Sequence, residues 1–263
     1  MAIVLSLPDE AVASGVTWQD NVLTIPAKAV VKQPFTYSAN GDSPFTIDVG
    51  AGARVTLLET LTTDKSANLG TTLILREESS VKLISVATQN NINIQRTVTL
   101  AGRSSSYEEH DVFYCTGQQG FSVSSNVING APQTKATAMM HGVLDHAAKS
   151  SCTGTMRINK GAQGAQSQLA QHVLLLSKDA KAENFPYLEI EENDVTAGHA
   201  ATVRPLDEEQ LFYLRSRGLP DSEARRILLM AFLTPFLGTM DKTLQERVVQ
   251  LIEKKWSEYA LVS

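Results

Sequence analysis

Hydrophobic and polar positions alternate in short runs over most of the chain. Between about residue 20 and residue 203, segments such as 45–49 (FTIDV), 54–59 (RVTLLE), 72–75 (TLIL), 81–86 (VKLISV), 97–100 (TVTL) and 171–176 (QHVLLL) are built largely from Val, Ile, Leu and Thr. Successive side chains of a strand point to opposite faces, so period-two alternation with β-branched residues predicts half-buried strands. Almost no stretch of this region keeps helical spacing.

The runs are separated by Gly, Asn and Ser clusters, namely Gly50-Ala51-Gly52, Glu77-Glu78-Ser79-Ser80, Gly102-Arg103-Ser104-Ser105, Asn129-Gly130, Gly161-Ala162-Gln163-Gly164 and Asn193-Asp194. They recur roughly every 25 to 32 residues, a spacing typical of stacked coils. If each unit is one coil of a parallel β-solenoid, inward Val, Ile and Leu form a continuous apolar column. A sandwich would carry tight turns such as Asn-Gly every 8–12 residues or so. Such pairs are scarce here, and the 6% aromatic content suits a narrow interior.

After Val203 the pattern changes to helical. Asp207 is placed to accept from the first free amides of a helix, with Gln210 in capping-box register. Leu211, Phe212 and Leu214 form its apolar face, and Gly218 ends it. Pro220 suits the first turn of a second helix. Ala224, Ile227, Leu228, Ala231 and Phe232 keep its spacing up to Pro235. A third helix is predicted from about Asp241 to Glu258, with Leu244, Val248, Leu251 and Ile252 on one side. The expected organisation is a strand-rich core over 1–203, with a lead-in over 1–20, and a helical domain over 204–263.

Composition narrows the function classes. With 263 residues, 43% hydrophobic and 19% charged, the chain can bury a core and is neither disordered nor collagen-like. Net charge is −5 with Lys and Arg dispersed, so nucleic acid is not an expected partner. Two cysteines without a CxxC pattern provide neither a zinc finger nor a disulfide framework. The N-terminus lacks a basic signal-peptide region, and no apolar span of about 20 residues follows, so the expectation is a cytoplasmic protein with no membrane partner.

Catalytic signatures are missing. No GxxxxGK[ST], GxSxG or HExxH occurs, so if ATP is involved another chain hydrolyses it. His141 and His146 would fall on opposite faces of a strand, and both read as surface or turn residues. Cys115, in the apolar run Val112-Phe113-Tyr114-Cys115, is expected to be buried; Cys152, after Lys149-Ser150-Ser151, is expected to be exposed. Glu108, Glu109 and Asp111 read as a solvated turn. His199 differs, because Ala197, Gly198, Ala200 and Ala201 leave its imidazole unshielded. A neutral imidazole can ligate iron or zinc through one nitrogen while the other is fixed by a hydrogen bond. The competing reading is a turn histidine satisfied by backbone.

A series of ordered motifs adds a family resemblance. Gly161-Ala162-Gln163-Gly164, Leu174-Leu175-Leu176-Ser177, Pro186-Tyr187-Leu188-Glu189-Ile190, Gly198-His199-Ala200-Ala201-Thr202, the run 206–218 (LDEEQLFYLRSRG) and Glu223-Ala224-Arg225-Arg226 together resemble the SufB/SufD family of iron–sulfur cluster assembly proteins. The match is dense from about 157 to 234 and one of texture before that. It implies a right-handed parallel β-helix followed by a small C-terminal helical domain, mainly β overall. It also implies a SufC-like ATPase docked on those helices, with Leu211, Phe212, Tyr213, Arg215, Arg217 and Arg226 as contact candidates. For Leu211 and Phe212 the simpler role is to close the helical domain's own core.

His199 matches the family histidine implicated near the subunit interface in building the nascent cluster. The cysteine and glutamate of SufB-type scaffolds correspond to Ala180 and Ala200 here, and a SufD-type cysteine to Ala197. One imidazole cannot hold a cluster, because iron–sulfur sites need several thiolate-type ligands. The resemblance therefore implies a non-enzymatic SufD-like scaffold that binds no cofactor stably. His199 would be a metal ligand only in trans, toward a transient iron–sulfur cluster shared with a SufB-like subunit or a second copy. The competing classes are a β-solenoid carbohydrate lyase or esterase, and a self-associating structural solenoid.

Overall fold

The computed structural model describes every residue except 1–2, 7–8, 32–33, 40–42, 62–65, 89–90, 239 and 261–263. In chain order the first elements are β1 (Ile3–Ser6), α1 (Asp9–Ala13), β2 (Thr17–Gln19), β3 (Val22–Ile25), β4 (Phe35–Ala39), β5 (Ser43–Val49), β6 (Arg54–Leu61) and β7 (Ala67–Leu75). Next come β8 (Ser80–Ala87), β9 (Ile92–Leu100), β10 (Ser106–Cys115), β11 (Gly120–Asn129), β12 (Lys135–Leu144), β13 (Lys149–Ile158), β14 (Gln166–Leu175), β15 (Lys181–Ile190) and β16 (Thr196–Pro205). Helices α2 (Glu208–Ser216), α3 (Asp221–Leu237) and α4 (Lys242–Ala260) complete the chain.

Alternate strands stack into two sheets. One runs β1-β4-β6-β8-β10-β12-β14-β16 and the other β15-β13-β11-β9-β7-β5-β3-β2. Pairing from β3 and β4 onward is parallel, which makes a β-solenoid of about five turns; β1 and β2 join as antiparallel strands. Equivalent side chains on neighbouring coils lie 25 residues apart at Asn68 and Asn93, and 29 apart at Cys115 and Leu144. This is the period legible in the Gly, Asn and Ser clusters.

Those clusters form one corner of each coil. Lys28, Gly52, Glu78, Ser104, Gln133 and Gly164 all take a left-handed backbone, with φ between 55° at Glu78 and 71° at Gly164. Each donates its N–H to a carbonyl of the next coil, as from Glu78 to Arg103 (2.9 Å) and from Gln133 to Gln163 (2.8 Å). The constraint lies in the backbone, and non-glycine residues meet it in four coils, so the repeat shows as spacing with little residue identity.

Burial separates the two sheets. In β7, β9, β11 and β13 buried positions alternate throughout, because only the inner face is covered. In β8 and β10 alternation gives way to unbroken burial toward the strand end. There Val86, Val112, Tyr114, Val143 and Leu174 on the outer face pack under Leu211, Leu229, Leu233, Phe236 and Val248 of the helices. The helical segment thus shares a core with the flank of the solenoid.

Helix boundaries follow their caps. Asp207 accepts from the amides of Glu209 and Gln210, both at 3.0 Å, and Gly218, at φ 92°, ends α2. In α3, however, Pro235 does not stop the helix, which continues to Leu237. A proline in the last turn forfeits one hydrogen bond, and buried Phe236 and Leu237 offset it by packing on the solenoid. α4 begins at Lys242, where the Asp241 carboxylate accepts from the Leu244 amide at 3.0 Å.

Candidate functional site

The terminal coil is an open end. Among the described residues β15 pairs only with β13, and β16 only with β14, so each presents an unpaired edge. His199 is in register with Leu169, which continues the inward column of Glu109 and Ala138. Behind it those positions are buried; at the last coil no further layer covers them, and His199 is exposed. Val203, two inward positions further along β16, is 41% exposed, and Phe185 and Tyr187 extend the apolar character of this end along the outer face of β15. The small neighbours foreseen in the sequence leave the imidazole accessible. Ala180 is buried, Ala197 is half-buried and Ala200 is exposed, so no thiol or carboxylate stands at these three positions. Among the described residues no group of three or more His, Cys, Asp or Glu could hold a metal ion.

The six expected contact residues divide. Leu211 is 2% exposed and belongs to the core shared with the solenoid, whereas Phe212 is 73% and Tyr213 55% exposed. The expectation that Phe212 closes the core is therefore corrected. Neighbouring residues on a helix point about 100° apart, and α2 has one covered side, which Leu211 takes. The Arg217 guanidinium lies 5.1 Å from the Tyr213 ring centroid, and Arg215 pairs with Asp221 at 3.3 Å. Arg226 turns inward to Glu223 at 2.8 Å and to Glu253, and so ties α3 to α4. Phe212, Tyr213 and Arg217 form an outward patch; Leu211 and Arg226 serve the scaffold itself.

The acidic run of β10 also departs from expectation. Glu109 and Asp111 are buried inside the solenoid, in phase with Tyr107, Phe113 and Cys115. Arg96 of β9, 1% exposed, reaches Glu59 at 2.9 Å, Asp111 at 3.2 Å, and Glu109. Tyr107 and Ser125 donate to Glu109 at 3.0 and 2.9 Å, and Ser85 donates to Glu59 at 2.5 Å. Burial alone would raise the Glu109 pKa, but the Arg96 guanidinium and these hydrogen bonds hold it below the ordinary carboxylate value. Asp111 goes the other way: burial, reinforced by the Glu109 charge and only partly opposed by Arg96, pushes it well up. A solenoid lyase needs accessible carboxylates, and these two are sealed inside.

Both thiols face the interior. Burial raises the Cys115 pKa to about 12 and raises Cys152 as well. Cys152, at 0% exposure, corrects the expectation of a surface thiol, because Lys149 and Ser151 take the outward phase of β13 and Cys152 the inward one.

His141 is corrected too. It lies on the outer face of β12 beneath α3, with its ring 5.1 Å from Phe236, 5.7 Å from Phe232 and 5.2 Å from His172. His110 meets Phe236 at 5.3 Å and bonds Glu108. His146 is a turn residue as expected, with φ 54° and its Nδ1 3.0 Å from the Thr116 hydroxyl.

Residues 18–232 match the family model described as SUF system FeS cluster assembly, SufBD core domain. The chain is 33% identical over 162 residues to the iron–sulfur cluster assembly protein SufD of Bacillus subtilis, a match covering 61% of this chain and 37% of that protein. It is 31% identical over 156 residues to a SufBD family protein of Mycobacterium tuberculosis, covering 59% of this chain and 18% of the relative. A Staphylococcus haemolyticus SufBD family protein shows 31% identity over 112 residues, covering 43% of this chain and 24% of the relative. The matches therefore cover between 18% and 37% of the length of these relatives.

Proposed function

Since the chain belongs to the SufB/SufD core family of SUF-system iron–sulfur cluster assembly proteins, we propose that it is a SufD-like, non-catalytic scaffold subunit that performs its chemistry at a junction with another chain. The observation that carries this reading is His199, standing exposed at the open end of an inward column that is buried in the coils behind it. A SufB-like subunit or a second copy would cover the terminal coil by pairing with the free edges of β15 and β16, which present unmatched backbone donors and acceptors. Iron and sulfide are cargo in this scheme. His199 contributes one neutral nitrogen ligand to iron, and the thiolates come from the partner chain.

The second contact is with a SufC-like ATPase. Phe212 and Tyr213 form an exposed aromatic pair on α2, rimmed by Arg217, a composition suited to the centre of a protein interface. Helices α2 to α4 share one core with the solenoid flank, so a push on α2 reaches β10, β12 and β14 through packed side chains. Nucleotide-driven rearrangement of the ATPase would shift the scaffold only as far as the ATPase binds two arrangements with different affinity.

The test is co-purification with native partners followed by iron and sulfide analysis of wild type and His199→Ala. The reading predicts an intact complex with lower cluster content for the variant. Equal cluster content in both would remove His199 from the site.

A further inference from the structure

Where β7, β9, β11, β13 and β15 begin, the solenoid carries a groove of about 600 Å³ that none of the roles above uses. Ile92 and Phe121 lie in its floor. Asn68, Asn93, Ser122, Ser151 and Glu183 follow one another across its wall, at matched positions on five successive strands. Asn93 donates to Asn68 at 3.2 Å, which fixes the amides of the first two strands.

Lys149 and Lys181 complete the lining. They are direct register partners on β13 and β15, and both are exposed. Like charges placed opposite each other on adjacent strands destabilise a sheet. Neither lysine makes a salt bridge among the described residues, and the neighbouring strand offers Gly120 at the same position. Glu183, two residues beyond Lys181, is the one carboxylate among the described lining residues.

We infer that this groove binds a small organic polyanion between the Lys149 and Lys181 ammonium groups, with the Ser122 and Ser151 hydroxyls as further donors. An anion seated there removes the lysine–lysine repulsion and gains charge-assisted hydrogen bonds. A groove of this size matches known small-ligand sites, and Ile92 and Phe121 provide an apolar floor for a carbon skeleton. Glu183 repels the anion and confines it to the lysine side. Phosphate esters and polycarboxylates share this chemistry.

Calorimetric titration of the full chain, with inorganic pyrophosphate in one arm and citrate in the other, tests the inference and separates the two sources. Binding in either arm is expected, weakened about tenfold or more by the double variant Lys149→Ala/Lys181→Ala. Glu183→Gln should bind more tightly, and Lys160→Ala, on a different corner, should bind as wild type. The double variant should also melt no lower than wild type, because a repulsive pair has been removed. No heat in either arm, or equal affinity in the double variant, would overturn the site. The titration needs no partner chain, so its outcome is independent of the scaffold reading.

Discussion

Arg96 is paired with Glu59, Glu109 and Asp111 inside the solenoid, and its removal would leave these side chains without their counter-charge in a dry interior. Breaking a buried network from one side costs about 3–5 kcal/mol, so Arg96→Met should lower the unfolding free energy by that order in denaturant titrations. Asp111→Asn should cost less than Glu109→Gln, since burial and the neighbouring Glu109 charge raise the Asp111 pKa while Arg96 and its hydrogen bonds hold Glu109 low. A large loss in Asp111→Asn would mean that this carboxyl is ionised. The burial of Glu109 and Asp111 was legible in phase, because they alternate with Tyr107, Phe113 and Cys115. Charge argued against it, as acidic residues are almost never buried without a partner. That partner lies 13 residues away from Glu109 and 37 from Glu59, on other strands, where no local pattern points to it.

Among the elements, the seam between α3 and the first sheet is the pH-sensitive one. Burial under Phe232 and Phe236, with His172 and His110 adding to it, lowers the His141 pKa to about 4. His172 is lowered as well, first by burial and then by Arg204. Around them stand His110 with its partner Glu108, Lys82 bonded to Glu108 at 3.2 Å, and Arg204 over the Phe232 ring. A histidine whose folded pKa is depressed stabilises the fold fully above its unfolded value near 6.5, and that contribution is lost as pH falls toward 4. Docking of α3 should weaken across this window by roughly 3 kcal/mol for His141 alone, at about 1.4 kcal/mol per pKa unit. Hydrogen exchange of α3 amides against pH measures it. His141→Phe should flatten the dependence, and an unchanged slope in that variant would exclude His141 as its source. The helices themselves were readable from Asp207, Gln210 and Gly218, which act locally. The face on which they dock was marked only by strands whose alternation fails, as in Val112-Phe113-Tyr114-Cys115, and a continuous apolar run does not name what covers its second side.

For the molecule as a whole, the sixteen strands among the described residues make a two-sided body with an unpaired edge at the coil of His199 and a helical flank carrying Phe212 and Tyr213. The solenoid was legible because its corners recur at a near-constant spacing, whereas the open end is a property of stacking order that no single strand encodes. On the proposed function, the exposed face of α2 docks a separate ATPase onto this body. Light scattering of the full chain mixed with a SufC-like ATPase, for wild type and for Phe212→Asp, tests it most directly. Wild type should form a stable complex and the variant should lose it, with the solenoid's circular dichroism unchanged. Two unassociated species for the wild-type chain, or a complex indifferent to Phe212→Asp, would contradict it.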